Sequence, residues 1–159
     1  MTSGAKGADR PIRVLFVCTG NSARSQIAEA LMRRIGGPDF AVESAGTQPR
    51  GVHPLAIRVL AEIGIDWLAA KSKSVTDFGD DSFDYVITAC DRARQSCPVF
   101  PGSYESLHWG LVDPAEVEGT DEEKLTAFRR TRLELAQRIR PFVEAALREA
   151  GRKRPVLLA

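Results

Sequence analysis

Residues 14–26 read VLFVCTGNSARSQ, and the order of residue types in this stretch decides the fold. VLFV is apolar without alternation, as in a strand buried on both faces. A cysteine ends it, five small residues follow, and Arg24 leads into SQIAEALMRRIG, which sets Ile27, Leu31 and Ile35 on one helical face and stops at Gly36. A strand, a tight loop and a helix in that order form the repeating unit of a parallel sheet. Cys18 is therefore expected at the carboxyl end of a buried strand, where such sheets bind their ligands.

The pattern recurs outward from this unit. FAVESAG (40–46) supplies a second strand, and a helix opening at Pro54 carries Leu55, Val59, Leu60 and Ile63 before Gly64. FDYVITAC (83–90) is a third buried strand and YESLHWG (104–110) a short fourth. From about Asp121, Leu125, Phe128, Leu135, Ile139, Phe142, Val143 and Ala146 recur at helical spacing, with Pro141 expected to kink or split the segment. The expected fold is α/β, a small doubly wound sheet of four parallel strands flanked by helices. One catalytic domain is expected over 11–150, between an N-terminal tail, 1–10, and a C-terminal tail, 151–159.

The totals bound the function. With 159 residues, 43% of them hydrophobic, and 22 basic against 21 acidic side chains, the chain has one core and no charge excess suited to nucleic acid or to an anionic membrane. Any affinity for anions must be local. No apolar run approaches the roughly 20 residues that span a bilayer, and the first residues lack a signal-peptide core, so a cytoplasmic protein is expected. Three cysteines, Cys18, Cys90 and Cys97, make an odd number that fits reduced thiols better than a secreted disulfide framework. A zinc site is disfavoured, because the Cys90–Cys97 spacing is wrong and only two histidines, His53 and His108, are present. His53, just before Pro54, is expected in an exposed loop, and His108 beside Trp109 is expected to support a strand end; neither is assigned catalysis.

The loop CTGNSAR can curl its amides into an oxyanion nest at the positive end of the following helix, using Thr19, Gly20, Asn21, Ser22, Ala23 and Arg24. Gly20 and Asn21 are the residue types that tolerate the unusual φ this needs. Arg24 can grip two oxygens with its planar fork. The same field favours the thiolate of Cys18, with Ser25 donating its hydroxyl hydrogen while Ser22 and Asn21 brace the loop. A buried packing cysteine beside a solvated arginine remains the alternative.

The stretch VLFVCTGNSARSQIAEAL resembles the signature of the low-molecular-weight tyrosine phosphatase superfamily, which includes thioredoxin-coupled arsenate reductases. ESAGT, GID and HWGLVDP continue the resemblance over most of residues 12–145. The resemblance implies that Asp113 in VDP is the general acid, with Pro114 fixing its loop. It further implies that CDRARQSC carries the second and third thiols of a reductase, for which a phosphatase has no need. Neither TQPRGVHP nor DPAEVEG offers an aromatic side chain on which a phosphotyrosyl ring could stack.

The implied reaction starts with Cys18 attacking arsenate while Asp113 protonates the departing hydroxide. Cys90 then attacks Cys18, arsenite leaves with the electron pair, and Cys97 moves the disulfide to 90–97, where thioredoxin reduces it. No bound cofactor or metal is expected, phosphate and sulfate are expected to compete with arsenate, and the chain is expected to act as a monomer. A disulfide needs Cα atoms within about 7 Å, whereas seven helical steps span roughly 10.5 Å. Residues 90–98 are therefore expected to form a loop, or a helix that unwinds on oxidation. Ala23 stands where some such reductases have cysteine, with no expected loss. Some relatives hold potassium near the loop; Asn21, Glu29 and Ser44 match that site, but Lys73 stands in place of its aspartate and could substitute for the ion by pairing with Glu29, a solvated surface lysine being the alternative. Two competing readings are a low-molecular-weight phosphatase with bystander cysteines and a non-enzymatic oxyanion-binding or redox-sensing module.

Overall fold

The structure is a computed structural model that describes residues 10–152. The tails expected at 1–10 and 151–159 lie outside the described residues except for Arg10, Gly151 and Arg152. Arg10 pairs with Asp84 at 3.3 Å, and the Arg152 guanidinium donates to the Arg10 carbonyl.

Four strands, β1 (Ile12–Cys18), β2 (Phe40–Gly46), β3 (Tyr85–Thr88) and β4 (Glu105–His108), form one sheet in the order β2-β1-β3-β4. Every pair is parallel. Successive strand residues point to opposite faces, so the complete burial of Val14, Leu15, Phe16 and Val17 requires cover on both sides. This is why the central strand reads as an unbroken apolar run. Numbered in chain order, helices α1 (Arg24–Gly36), α3 (Asp91–Ser96) and α4 (Asp121–Glu149) pack on the sheet, and α2 (Pro54–Ala61) packs on α1 and α4. Phe16, Trp109, Phe142 and Tyr85 form a chain of tilted and edge-on rings 5.0–5.8 Å apart that ties the sheet to α4.

Helix α4 opens with a Thr120–Glu123 capping box and runs unbroken through Pro141, so the expected kink or split does not divide it. Proline removes the bond that would satisfy the Gln137 carbonyl and crowds it. Gln137 and Pro141 both face solvent, so water can serve the carbonyl while Leu135, Ile139 and Val143 hold the buried face. His53 also departs from expectation. It is half-buried rather than exposed, with Nδ1 accepting from the Leu55 amide as the N-cap of α2 and its ring 4.6 Å from Phe128. Burial pushes its pKa down, opposed by Asp113. Among the described residues no helix is long and apolar enough to cross a membrane.

Candidate active site

The loop 18–24 lies where β1 ends. It is seated on Gly46, the residue in register with Cys18; a Cβ there would fall 2.6 Å from the Thr19 carbonyl oxygen and 2.8 Å from the Asn21 nitrogen. Only glycine permits that approach. Asn21 takes the left-handed conformation at φ 46°, whereas Gly20 does not adopt positive φ. Helix α1 starts at Arg24 with no side-chain cap and no acidic residue in its first turn, leaving its positive end to an incoming anion.

A chain of hydrogen bonds positions Ser25. The Asn21 Oδ1 accepts from the Lys73 amide at 2.8 Å and from Gln26 Nε2 at 2.9 Å. Its Nδ2 must therefore donate to Ser25 Oγ at 2.8 Å and Ser44 Oγ at 2.9 Å. Each hydroxyl has its own hydrogen left to give. Ser44 gives it to Glu29 at 2.5 Å, and Ser25 Oγ lies 2.8 Å from Cys18 Sγ, in position to donate to the ionised sulfur. Ser25, expected to donate to Cys18, thus adjoins its sulfur, and Asn21 ties the loop to Ser44 and Lys73. Ser22 contributes through its carbonyl, which accepts from the His53 amide.

Arg24 reaches across the loop mouth, donating to the Leu111 carbonyl at 3.1 Å and pairing with Asp113 at 3.4 Å. Asp113 uses Oδ1 to accept from the Ala115 amide in the turn that Pro114 begins. A cavity of about 70 Å³ is lined by Cys18, Thr19, Gly20, Arg24, Arg50 and Asp113, among others. It is small enough to suit a compact inorganic anion. A larger hollow of about 340 Å³ lies beside Glu29, Trp67 and Lys71 and is lined by no cysteine.

The second thiol adjoins this loop. Val17 and Thr88 are register partners on adjacent strands, so Cys18 and Cys90 emerge from neighbouring strand ends. Thr19 Oγ1 contacts Cys90 Sγ at 3.3 Å, and the sulfur also accepts from the Ala93 amide at 3.4 Å as the N-cap of α3. Cys97 follows α3, half-buried, and burial raises its pKa. All three cysteines are free thiols, and α3 separates Cys90 from Cys97. His108, at the end of β4, contacts Thr88 Oγ1 and Asp91 Oδ1, both at 2.8 Å, and so joins the sheet to the first residue of α3.

Behind the loop, the buried carboxylate of Glu29 receives Ser44, the Lys73 ammonium at 3.2 Å and Arg33 at 2.5 Å. Among the described residues, no three His, Cys, Asp or Glu side chains converge as metal ligands. Three contributors escaped the sequence reading. Gly46 ends the quoted ESAG stretch, but its close approach depends on strand register. Gln26, fully buried, accepts from Trp67 Nε1 at 2.8 Å while holding Asn21, and Arg50 lines the cavity; neither sits at a spacing that would mark it.

Residues 13–153 match the family described as low molecular weight phosphotyrosine protein phosphatase. An arsenate reductase of Halalkalibacterium halodurans is 44% identical over 131 residues, covering 82% of this chain and 94% of that protein. A solved arsenate reductase in its oxidized state superposes with a TM-score of 0.72 at 31% identity, covering 84% of this chain and 97% of that one. A thioredoxin-dependent arsenate reductase of Corynebacterium glutamicum gives a TM-score of 0.70 at 33% identity, over 93% of this chain and 68% of that one.

Proposed function

The chain belongs to the low molecular weight phosphotyrosine protein phosphatase family, and from that premise we propose that it is a cytoplasmic, monomeric arsenate reductase regenerated by thioredoxin, with no bound cofactor. The observation that carries this reading is the contact between Thr19 and Cys90, which sets a second thiol against the oxyanion loop. Ester hydrolysis alone gives that thiol no task.

Arsenate enters the cradle of residues 19–24, where loop amides, the uncapped end of α1 and Arg24 take its oxygens. The Cys18 thiolate, held by the Ser25 hydroxyl, attacks arsenic, and Asp113 passes a proton to the departing hydroxide, which leaves as water. The Cys90 sulfur then attacks Cys18 Sγ; the S–As bond breaks, its electron pair stays on arsenic, arsenic(V) becomes arsenic(III), and a Cys18–Cys90 disulfide remains. Thr19 Oγ1 and the Ala93 amide hold the Cys90 sulfur beside the loop. Burial keeps Cys97 a thiol until α3 yields. Because disulfide geometry cannot span a regular helix of this length, α3 must unwind for Cys97 to attack Cys90, release the Cys18 thiolate and deliver a 90–97 disulfide to thioredoxin. Lys73 acts as a built-in cation beside Glu29 in place of potassium.

The test is NADPH consumption with arsenate, thioredoxin and thioredoxin reductase. Wild type should turn over, while Cys18→Ser, Cys90→Ser and Cys97→Ser should each abolish turnover. Absence of arsenate-dependent consumption in wild type, with aryl phosphate hydrolysis unaffected by Cys90→Ser, would instead establish a phosphatase.

A further inference from the structure

Two guanidinium groups line the 70 Å³ cavity, and only one is engaged by protein. Arg24 is bound to Leu111 and Asp113. Among the described residues, Arg50 has no side-chain hydrogen bond or ion pair. Its place is nevertheless firm. Residues 47–53 run alongside the oxyanion loop through four backbone bonds: Thr47 to Cys18 (3.2 Å), Gln48 to Thr19 (2.8 Å), Arg50 to Gly20 (2.9 Å) and His53 to Ser22 (3.0 Å). The stem of Arg50 covers Gly20, where a Cβ would meet Arg50 Cδ at 3.4 Å and Cγ at 3.6 Å. A long, exposed cation with no protein partner is thus anchored at its base beside the nucleophile.

We propose that Arg50 is a specificity-determining residue that binds the outward-facing oxygen of a free inorganic oxyanion and so selects such anions over phosphate esters. This rests on the reading of the site as an arsenate site and goes beyond it in naming what discriminates at the mouth. The cradle and Arg24 face the inner oxygens. A free oxyanion also presents charge at the mouth, where the Arg50 fork can close over it. An ester presents its organic group in that direction, and the guanidinium gains no charge partner there. Arg24 begins bound to Asp113, so the available charge that draws an anion in is that of Arg50.

The test is independent of reductase turnover. Reduced protein is alkylated with iodoacetamide across a titration of inorganic sulfate, and labelling at Cys18 is read by peptide mass spectrometry. Arg50→Met keeps an apolar stem over Gly20 and removes the charge. It should require about tenfold more sulfate for half-protection, equal to about 1.4 kcal/mol, while Arg50→Lys should retain most of the protection. Protection by phenyl phosphate should change less than threefold. Half-protection by sulfate at the wild-type concentration in Arg50→Met overturns the proposal, as does an equal loss for both anions. Failure of arsenate turnover in wild type would sink the reductase reading while leaving this measurement standing.

Discussion

Replacing Ser25 with alanine tests the electrostatics of the nucleophile most directly. The Lys73 amide orients Asn21, the Asn21 amide donates to the Ser25 oxygen, and Ser25 Oγ lies 2.8 Å from Cys18 Sγ with its own hydrogen free to give to the ionised sulfur. Ser25 is fully buried and Cys18 is 2% exposed, so bulk water cannot take over the lost contact. A hydrogen bond to a charged group is worth about 1.5–3 kcal/mol, and about 1.4 kcal/mol is a factor of ten. Attack by Cys18 on an electrophile should therefore slow by up to roughly 10- to 150-fold. The assay is the rate of iodoacetamide alkylation at Cys18 as a function of pH. Ser25→Ala should lag wild type at neutral pH. Asn21 keeps its bond to Ser44, so the loop should hold. Alkylation within twofold of wild type at every pH, in a variant with an unchanged melting temperature, would refute the reasoning.

Three further outcomes are expected. Wild-type turnover should be indifferent to exchanging sodium for potassium, whereas Lys73→Ser, which removes the ammonium from Glu29, should lose activity that potassium partly restores; potassium activation of wild type would contradict the role given to Lys73. Pro141→Ala should stabilise the protein by about 1–3 kcal/mol in urea unfolding, because an exposed helical position regains its N–H and loses the ring clash, and unchanged stability would show that the helix has already absorbed the proline. Glu62, bonded chiefly by Arg129 and also by Arg132, has its pKa lowered from 4.5 to about 2. A carboxylate whose pKa is lower in the folded chain favours folding above the unfolded value and loses that contribution as pH falls toward the folded one. Glu62→Gln should therefore cost stability at neutral pH, with the difference from wild type narrowing as pH falls below about 4.5 toward 2; a constant difference in urea unfolding across that range would refute the ion-pair account.

Much of this protein is determined locally and can be read along the chain. An unalternating strand needs cover on both faces, so VLFV implies a central parallel strand, and the small residues before α1 imply an amide cradle at its end. Helix α4 followed from its apolar spacing, although proline at an exposed position of a long, well-packed helix proved affordable without a break. Other features depend on residues distant in sequence, and no periodicity marks them. The Gly46 approach requires the register of β1 with β2, the orientation of the Asn21 amide requires an amide from Lys73, and the Thr19–Cys90 contact requires β1 and β3 to be neighbours. His53 looked like an exposed loop residue because nothing adjacent reveals that Phe128, 75 positions away, packs against its ring. Residue types along the chain thus determined which chemical groups the site contains. Strand order and register, set by packing between distant segments, decided which of those groups meet.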